Sequence, residues 1–258
     1  MVLTPEKIKE LQKKKPVDKK SYKREIANSF MESAIIKSNI TSLKTLFFIA
    51  YKLNDLDLSK SPNNKLMTVR FDKKELLEFT EVENSTLLKA IKKIQETSIT
   101  FLDDEGKVEM GMSMFPRYEV LKGKNMIELD IYIKVAKLIV DVKKNFNFTP
   151  MNIKELMHVK NAHSLRFLTL LNRIKNYDKD IPKRKKLNLQ EMNAFFGTNY
   201  KNWAKLELKL LKPIKEELDA LKHLSFLYEP YFESYGRGRP RFEHVTIDLK
   251  SFTTTKAV

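Results

Sequence analysis

Apolar residues recur at helical spacing over Ser42–Lys52, where Leu43, Leu46, Phe47, Ala50 and Tyr51 mark one face, and a further helix is expected before it over Lys23–Lys37. At Leu66–Phe71 the period changes to two, which predicts a short strand. Asp72 then stands where an N-cap is needed for a helix reaching Phe79. After a turn at Thr80–Glu83, Asn84 is the expected cap of a second helix. Its Leu87, Leu88, Ile91 and Ile94 face inward, and its Lys89, Lys92 and Lys93 face outward. Hairpin signals follow: Ile99–Leu102 and Val108–Phe115 about Asp103-Asp104-Glu105-Gly106, then Tyr118–Leu121 and Met126–Ile133 about Lys122-Gly123-Lys124-Asn125. A helix pair followed by hairpins is the order of a winged helix.

The order returns after a helix at about Val135–Asn145 and the break Phe148-Thr149-Pro150. Helices are expected at Met151–Val159 and Ala162–Tyr177, the second with Leu165, Leu168, Leu170 and Leu171 as apolar positions and Arg166 and Arg173 as polar ones. The stretch Asp178–Lys186, with Lys183, Arg184, Lys185 and Lys186, reads as a loop. Asn188 with Glu191 forms a capping-box pattern that opens a short helix ending at Gly197. A long helix then runs over Asn202–Leu221. Its inner face is Trp203, Leu206, Leu210, Ile214, Leu218 and Leu221, its outer side carries Lys201, Lys205, Lys209 and Lys212, and Pro213 is expected to kink it. Strands at Leu224–Phe232 and Phe242–Leu249 flank a loop from Glu233 to Arg241. The pattern predicts an α+β chain of two tandem winged-helix domains forming a pseudo-repeat of architecture. The domains are a basic leader at 1–22, an N-terminal domain at 23–147 and a C-terminal domain at 148–252.

Charge sharpens this picture. The chain has 258 residues, with 49 Lys+Arg against 33 Asp+Glu for a net charge of +16, an imbalance that favours nucleic acid or another anionic partner. Residues 1–145 carry 28 cations and 21 anions (net +7), while the shorter 146–258 carry 21 and 12 (net +9). Only 9 of the cations are Arg, and three of those are Arg237, Arg239 and Arg241. Gly236 and Gly238 free the backbone there for a tight turn, Pro240 restricts it, and the three guanidiniums offer planar forks that match phosphate oxygens or a base edge. Such a wing also suits a narrow A·T minor groove. The helix that follows the second turn is the one that enters a major groove in helix-turn-helix proteins. Asn202, Lys205 and Lys209 are therefore candidates for base or phosphate contact, with Asn199, Tyr200 and Lys201 beside them.

Catalytic patterns are missing. No Cys is present, so thiol chemistry and disulfides are excluded. His158, His163, His223 and His244 form no metal-binding spacing, and neither Gly123-Lys124 nor Gly236-Arg237 completes a phosphate-binding loop. The acidic run Asp103-Asp104-Glu105 is assigned to its turn. No metal or other cofactor is expected. Neither a signal-peptide stretch nor a membrane-length apolar run occurs, so a cytoplasmic protein is expected.

Asn161-Ala162-His163-Ser164-Leu165-Arg166-Phe167-Leu168-Thr169-Leu170-Leu171 resembles the Ser-x-x-Ser-x-Arg-Leu-Tyr-Glu-Leu-Leu helix of iteron-binding plasmid replication initiators of the Rep_3 type, with Asn161, Phe167 and Leu168 departing from it. The resemblance continues through Leu187–Gly197 and through Leu210-Leu211-Lys212-Pro213-Ile214-Lys215-Glu216-Glu217-Leu218. It also takes in the Gly-Arg wing at Gly236–Arg241 and the opening Ala27-Asn28-Ser29-Phe30-Met31-Glu32-Ser33-Ala34, so that it covers about residues 25–250. It implies two winged-helix domains related by pseudo-symmetry, the C-terminal one dominating recognition of directly repeated origin sites in double-stranded DNA. The N-terminal one adds DNA contacts and dimerisation. It further implies a monomer–dimer equilibrium in which the dimer represses its own promoter, and recruitment of a host initiator and replicative helicase. Arg166 would be a phosphate contact. The same residues also fit a winged-helix transcriptional regulator with no initiator role, while a nicking enzyme of rolling-circle plasmids would require metal-dependent cleavage and a covalent Tyr adduct.

Overall fold

The computed structural model of the chain describes residues 23–27, 39–58, 61–102, 109–140, 148–222, 224–234, 236 and 239–251; the expected basic leader and the acidic turn at 103–106 lie outside them. The chain divides into two units, Met1–Met157 and His158–Val258, so the boundary falls after Met157 rather than after residue 147. The reason is a strand pair. β1 (Lys23–Ala27) runs antiparallel to β7 (Phe148–Asn152), from Lys23 opposite Asn152 to Ala27 opposite Phe148, which ties the segment after residue 147 to the first unit. This corrects two expectations. The described part of the helix expected over Lys23–Lys37 is a strand, and the helix expected from Met151 is only the short α5 (Ile153–Met157). Thr149 and Met151 of β7 are both buried, two positions apart, and long-range pairing with this strand overrides the helix propensity of the Lys-Arg-Glu segment in β1.

In the first unit α1 (Ile40–Leu53) opens on Asn39, whose side chain accepts from the Ser42 N–H at 2.8 Å. Phe48 packs edge-on to Phe71 of β2 (Leu66–Asp72) and against Phe79 of α2 (Lys73–Thr80), with ring centroids 5.6 and 5.5 Å apart. Asp72 caps α2 as expected, accepting from the Lys74 N–H at 2.7 Å. The next helix, α3 (Asn84–Glu96), has Glu83 at its N-cap with no side-chain bond, so Asn84 is its first helical residue and not its cap. A hairpin of β3 (Ser98–Leu102) and β4 (Glu109–Ser113) follows, then β5 (Arg117–Leu121), β6 (Met126–Tyr132) and α4 (Ile133–Val140). The three-stranded sheet has the order β2-β6-β5. Asp130 of β6 joins its strands, accepting from Thr68 of β2 at 2.6 Å and from Arg117 of β5 at 2.8 Å.

The second unit contains α6 (Ala162–Lys175), β8 (Arg184–Asn188), α7 (Leu189–Phe196), a helical run over Trp203–Leu221, β9 (Leu224–Glu233) and β10 (Arg241–Ser251), with sheet order β8-β10-β9. The stretch read as a loop over Asp178–Lys186 therefore ends in a strand. Only buried Leu187 signals β8 in the sequence, and its pairing with Val245 on β10 supplies the rest. Phe167 of α6 fills the core, stacked on Phe196 at 5.8 Å and leaning on Phe226 at 4.3 Å.

Each unit contains helix, strand, helix, helix and two further strands in that order, with the three strands in the sheet orders β2-β6-β5 and β8-β10-β9; the first unit has in addition β1, the β3–β4 hairpin, α4, β7 and α5. Both first helices also open on the same pattern, Asn-x-x-Ser-Leu-Lys/Arg-x-Leu, at Asn39–Leu46 and at Asn161–Leu168.

Candidate nucleic-acid interface

The turn between α7 and the following helix is built by one side chain. Asn188 and Glu191 make the expected capping box at the start of α7, and Gly197 ends that helix with φ 64°, a left-handed conformation that glycine adopts without strain. Asn193 then clamps the chain that leaves it. Its Oδ1 accepts from the Thr198 hydroxyl and the Tyr200 N–H, both at 2.9 Å, and its Nδ2 donates to the Tyr200 carbonyl at 2.9 Å. Tyr200 is thereby held half-buried, and Lys201 and Asn202 follow it exposed. An Asn inside a short helix carries no pattern in the sequence, so the role of Asn193 follows only from its partners. Asn193→Ala should lower stability by about 1–3 kcal/mol, since it orphans two donors and a carbonyl in the turn. Urea unfolding of the full chain checks this.

Asn202 caps the next helix, its side chain accepting from the Lys205 N–H at 3.0 Å. The helix runs as α8 (Trp203–Leu206), a π-helical segment Glu207–Leu211, and α9 (Lys212–Leu221). Pro213 has no N–H to offer, and the wider turn just before it absorbs the disruption expected as a kink. Glu207 anchors this wide turn by accepting from the Tyr228 hydroxyl of β9 at 2.9 Å; burial, reinforced by the Glu207 carboxylate, pushes that hydroxyl up to about 12. Trp203, Leu206, Leu210, Ile214 and Leu218 are buried as expected, joined by Leu211, while Ala204, Lys205, Leu208, Lys209 and Lys212 are exposed.

The wing meets the start of this helix. The Trp203 indole stacks on Phe242 of β10, with centroids 4.7 Å apart and planes 11° apart, so the first helical turn lies beside the root of the β9–β10 hairpin. Arg241, next to Phe242, is exposed and stands opposite Glu233; Arg239 is exposed two residues earlier. Gly236 has φ 71° with open space where a Cβ would stand, while Arg237 lies outside the described residues. The second unit therefore brings the start of this helix, with Lys201, Asn202 and Lys205 around Trp203, beside the strand end that carries Arg241, and Lys209 lies further along the same helix. In the first unit Lys89, Lys92 and Lys93 are exposed on α3, as expected; Lys92 pairs with Glu96 at 3.8 Å, an exposed pair of little energetic weight.

Arg166 requires correction. It is 3% exposed, and its Nη1 donates to the Phe196 carbonyl at 2.6 Å, so it cannot present itself to a phosphate. It instead satisfies the C-terminal end of α7, where helix carbonyls lack partners. Desolvation lowers its pKa to about 10, which leaves it charged at neutral pH. Lys44 stands at the same place in the first unit's pattern. It is also 3% exposed, donates to the Met157 carbonyl, and lies 3.7 Å from Glu81, the left-handed cap of α2. Both cations hold the sixth position of the repeated Asn-x-x-Ser-Leu-Lys/Arg-x-Leu pattern, and both are buried there.

His163 packs on the Phe196 ring at 5.6 Å, and burial first, then the Arg166 charge, hold its pKa below the ordinary value of 6.5. The unfolded chain thus binds more protons than the folded one as pH falls. The stability contributed by a neutral His163 is complete above the unfolded value of 6.5 and is lost as pH falls below it toward the folded value. Urea unfolding at pH 7.5 and 5.5 should show a decline that His163→Phe reduces.

Among the described residues no cluster of three or more His, Asp and Glu is placed to hold a metal, and no helix is long and apolar enough to cross a membrane.

The mixed helices and sheets of the two units are consistent with a winged-helix fold. The family model of the initiator replication protein WH1 domain matches residues 25–172, more than half of the chain, and the chain belongs to that family of replication initiators. Among solved structures it is similar to the Pi initiator protein in its complex with iteron DNA, with a TM-score of 0.64 and 10% identity over 89% of this chain and 98% of that one, a likeness of fold. No curated protein sequence matches it.

Proposed function

We propose that the protein is a non-catalytic plasmid replication initiator that binds directly repeated sites, iterons, in double-stranded origin DNA and promotes opening of an adjacent A·T-rich segment. The observation that carries this reading is the family match over residues 25–172. The iteron complex of the Pi initiator, a protein of similar fold, supports the choice of DNA. The exposed Lys205, Lys209, Arg239 and Arg241 of the second unit, with Lys89, Lys92 and Lys93 of the first, supply cations for the phosphate backbone.

In this reading the two units are tandem winged-helix domains related by pseudo-symmetry, supported by their common strand order and by the repeated Asn-x-x-Ser-Leu-Lys/Arg-x-Leu pattern. The second contributes the main DNA contacts and the first adds auxiliary contacts and dimerisation. The dimer represses the initiator's own promoter, and the monomer, bound at several repeats, strains the duplex and brings in a host initiator and replicative helicase in the cytoplasm. No nucleotide or metal cofactor takes part.

Permanganate probing of supercoiled DNA carrying the region that flanks the gene tests the opening step. With the full chain alone, reactive thymines should appear in an A·T-rich tract with both strands intact. A strand nicked in the presence of Mg²⁺, with protein attached through Tyr, would contradict the non-catalytic reading.

A further inference from the structure

The exposed face of the helix over Trp203–Leu221 is not uniformly polar. Leu208 is 58% exposed, one of few large apolar side chains so placed among the described residues, and Ala204 one turn before it is exposed as well. Ala204, Leu208 and Lys212 follow at intervals of four, and Lys205 and Lys209 run beside them at the same interval. An apolar strip therefore runs with lysines along one side and at its far end, on the helix that the DNA-binding reading sends into the major groove. The π turn over Glu207–Leu211, fixed by Pro213 and by the Glu207–Tyr228 bond, holds Leu208 outward while Leu210 and Leu211 go to the core.

Lysines on such a helix meet phosphates and carry little sequence information. An aliphatic side chain beside them has one chemically matched partner in the major groove, the C5-methyl group of thymine, which no other DNA base carries. We infer that Leu208, with Ala204 beside it, is a specificity-determining contact that reads thymine methyl groups in the binding site. This rests on the proposed sequence-specific DNA binding and adds to it a residue and the base feature it reads.

The test uses the full-length protein and a duplex it has selected from a random-sequence pool, remade with each thymine in turn replaced by deoxyuridine, which removes only the methyl group. Wild-type affinity should fall about 3- to 10-fold at one or two thymines and remain level at the rest. Leu208→Ala should become indifferent at those same positions while keeping its response to salt, and Leu208→Met should retain the discrimination. Circular dichroism confirms folding, which an exposed side chain leaves intact. A selected duplex on which no deoxyuridine matters, or on which Leu208→Ala shows the wild-type losses, overturns this inference alone. A pool that yields no preferred sequence overturns the sequence-specific reading beneath it as well.

Discussion

Trp203→Ala is expected to lower the stability of the second unit by about 3–5 kcal/mol, the range for removing a buried aromatic side chain. Trp203 is 6% exposed, stacked on Phe242 of β10 and set edge-on to Tyr228 of β9 at 6.0 Å. Its loss opens a cavity and also removes the packing that seats the first helical turn against the root of the wing. DNA affinity should therefore fall even under conditions where the variant remains folded, because the lysine face and the wing no longer share a fixed geometry. Trp203→Phe should recover most of both. Trp203 is the chain's single tryptophan, so wild-type fluorescence follows this stack during unfolding, and circular dichroism follows the variants. A loss of stability below about 1 kcal/mol would show that the stack does not organise the unit, since surface changes have effects of that size.

The second large effect is expected at the wing. Arg239→Ala should weaken DNA binding by about 1–3 kcal/mol if the guanidinium reads a base edge, and by less if it meets phosphate alone. Replacing Arg237, Arg239 and Arg241 together should lower affinity at least about tenfold in moderate salt. It should also flatten the dependence of log affinity on log salt by about 0.9 for each phosphate that is no longer neutralised. Stability should change little, because Arg239 and Arg241 are exposed. Fluorescence anisotropy with a selected duplex at several salt concentrations gives both quantities, and unchanged affinity for the triple variant would remove the wing from the interface.

Much of the second unit was legible in its sequence because its signals are local. The Asn188–Glu191 box, the Gly197 stop and the inner face from Trp203 to Leu218 each depend on residues within a few positions, and the structure reproduces them. What escaped depends on partners far along the chain. β1 and β7 lie on either side of almost the entire first unit and become strands only through one another. β8 has a single buried apolar residue and is made a strand by β10. At the site, exposure of the lysines followed from periodicity, whereas Asn193 works through three bonds that no spacing announces. Arg166 misled for a physical reason. A charged residue on a mostly apolar helix is ordinarily solvated, and here the free end of α7 gives it a carbonyl to bind inside the core.

The central claim, an initiator that acts by binding repeated DNA sites, is tested most directly by footprinting the full-length protein on the DNA that flanks its gene. The expected result is a series of evenly spaced protections over directly repeated sequences beside an A·T-rich tract. A single protected inverted repeat over a promoter, with no array of direct repeats, would contradict it and identify a transcriptional regulator built on the same fold.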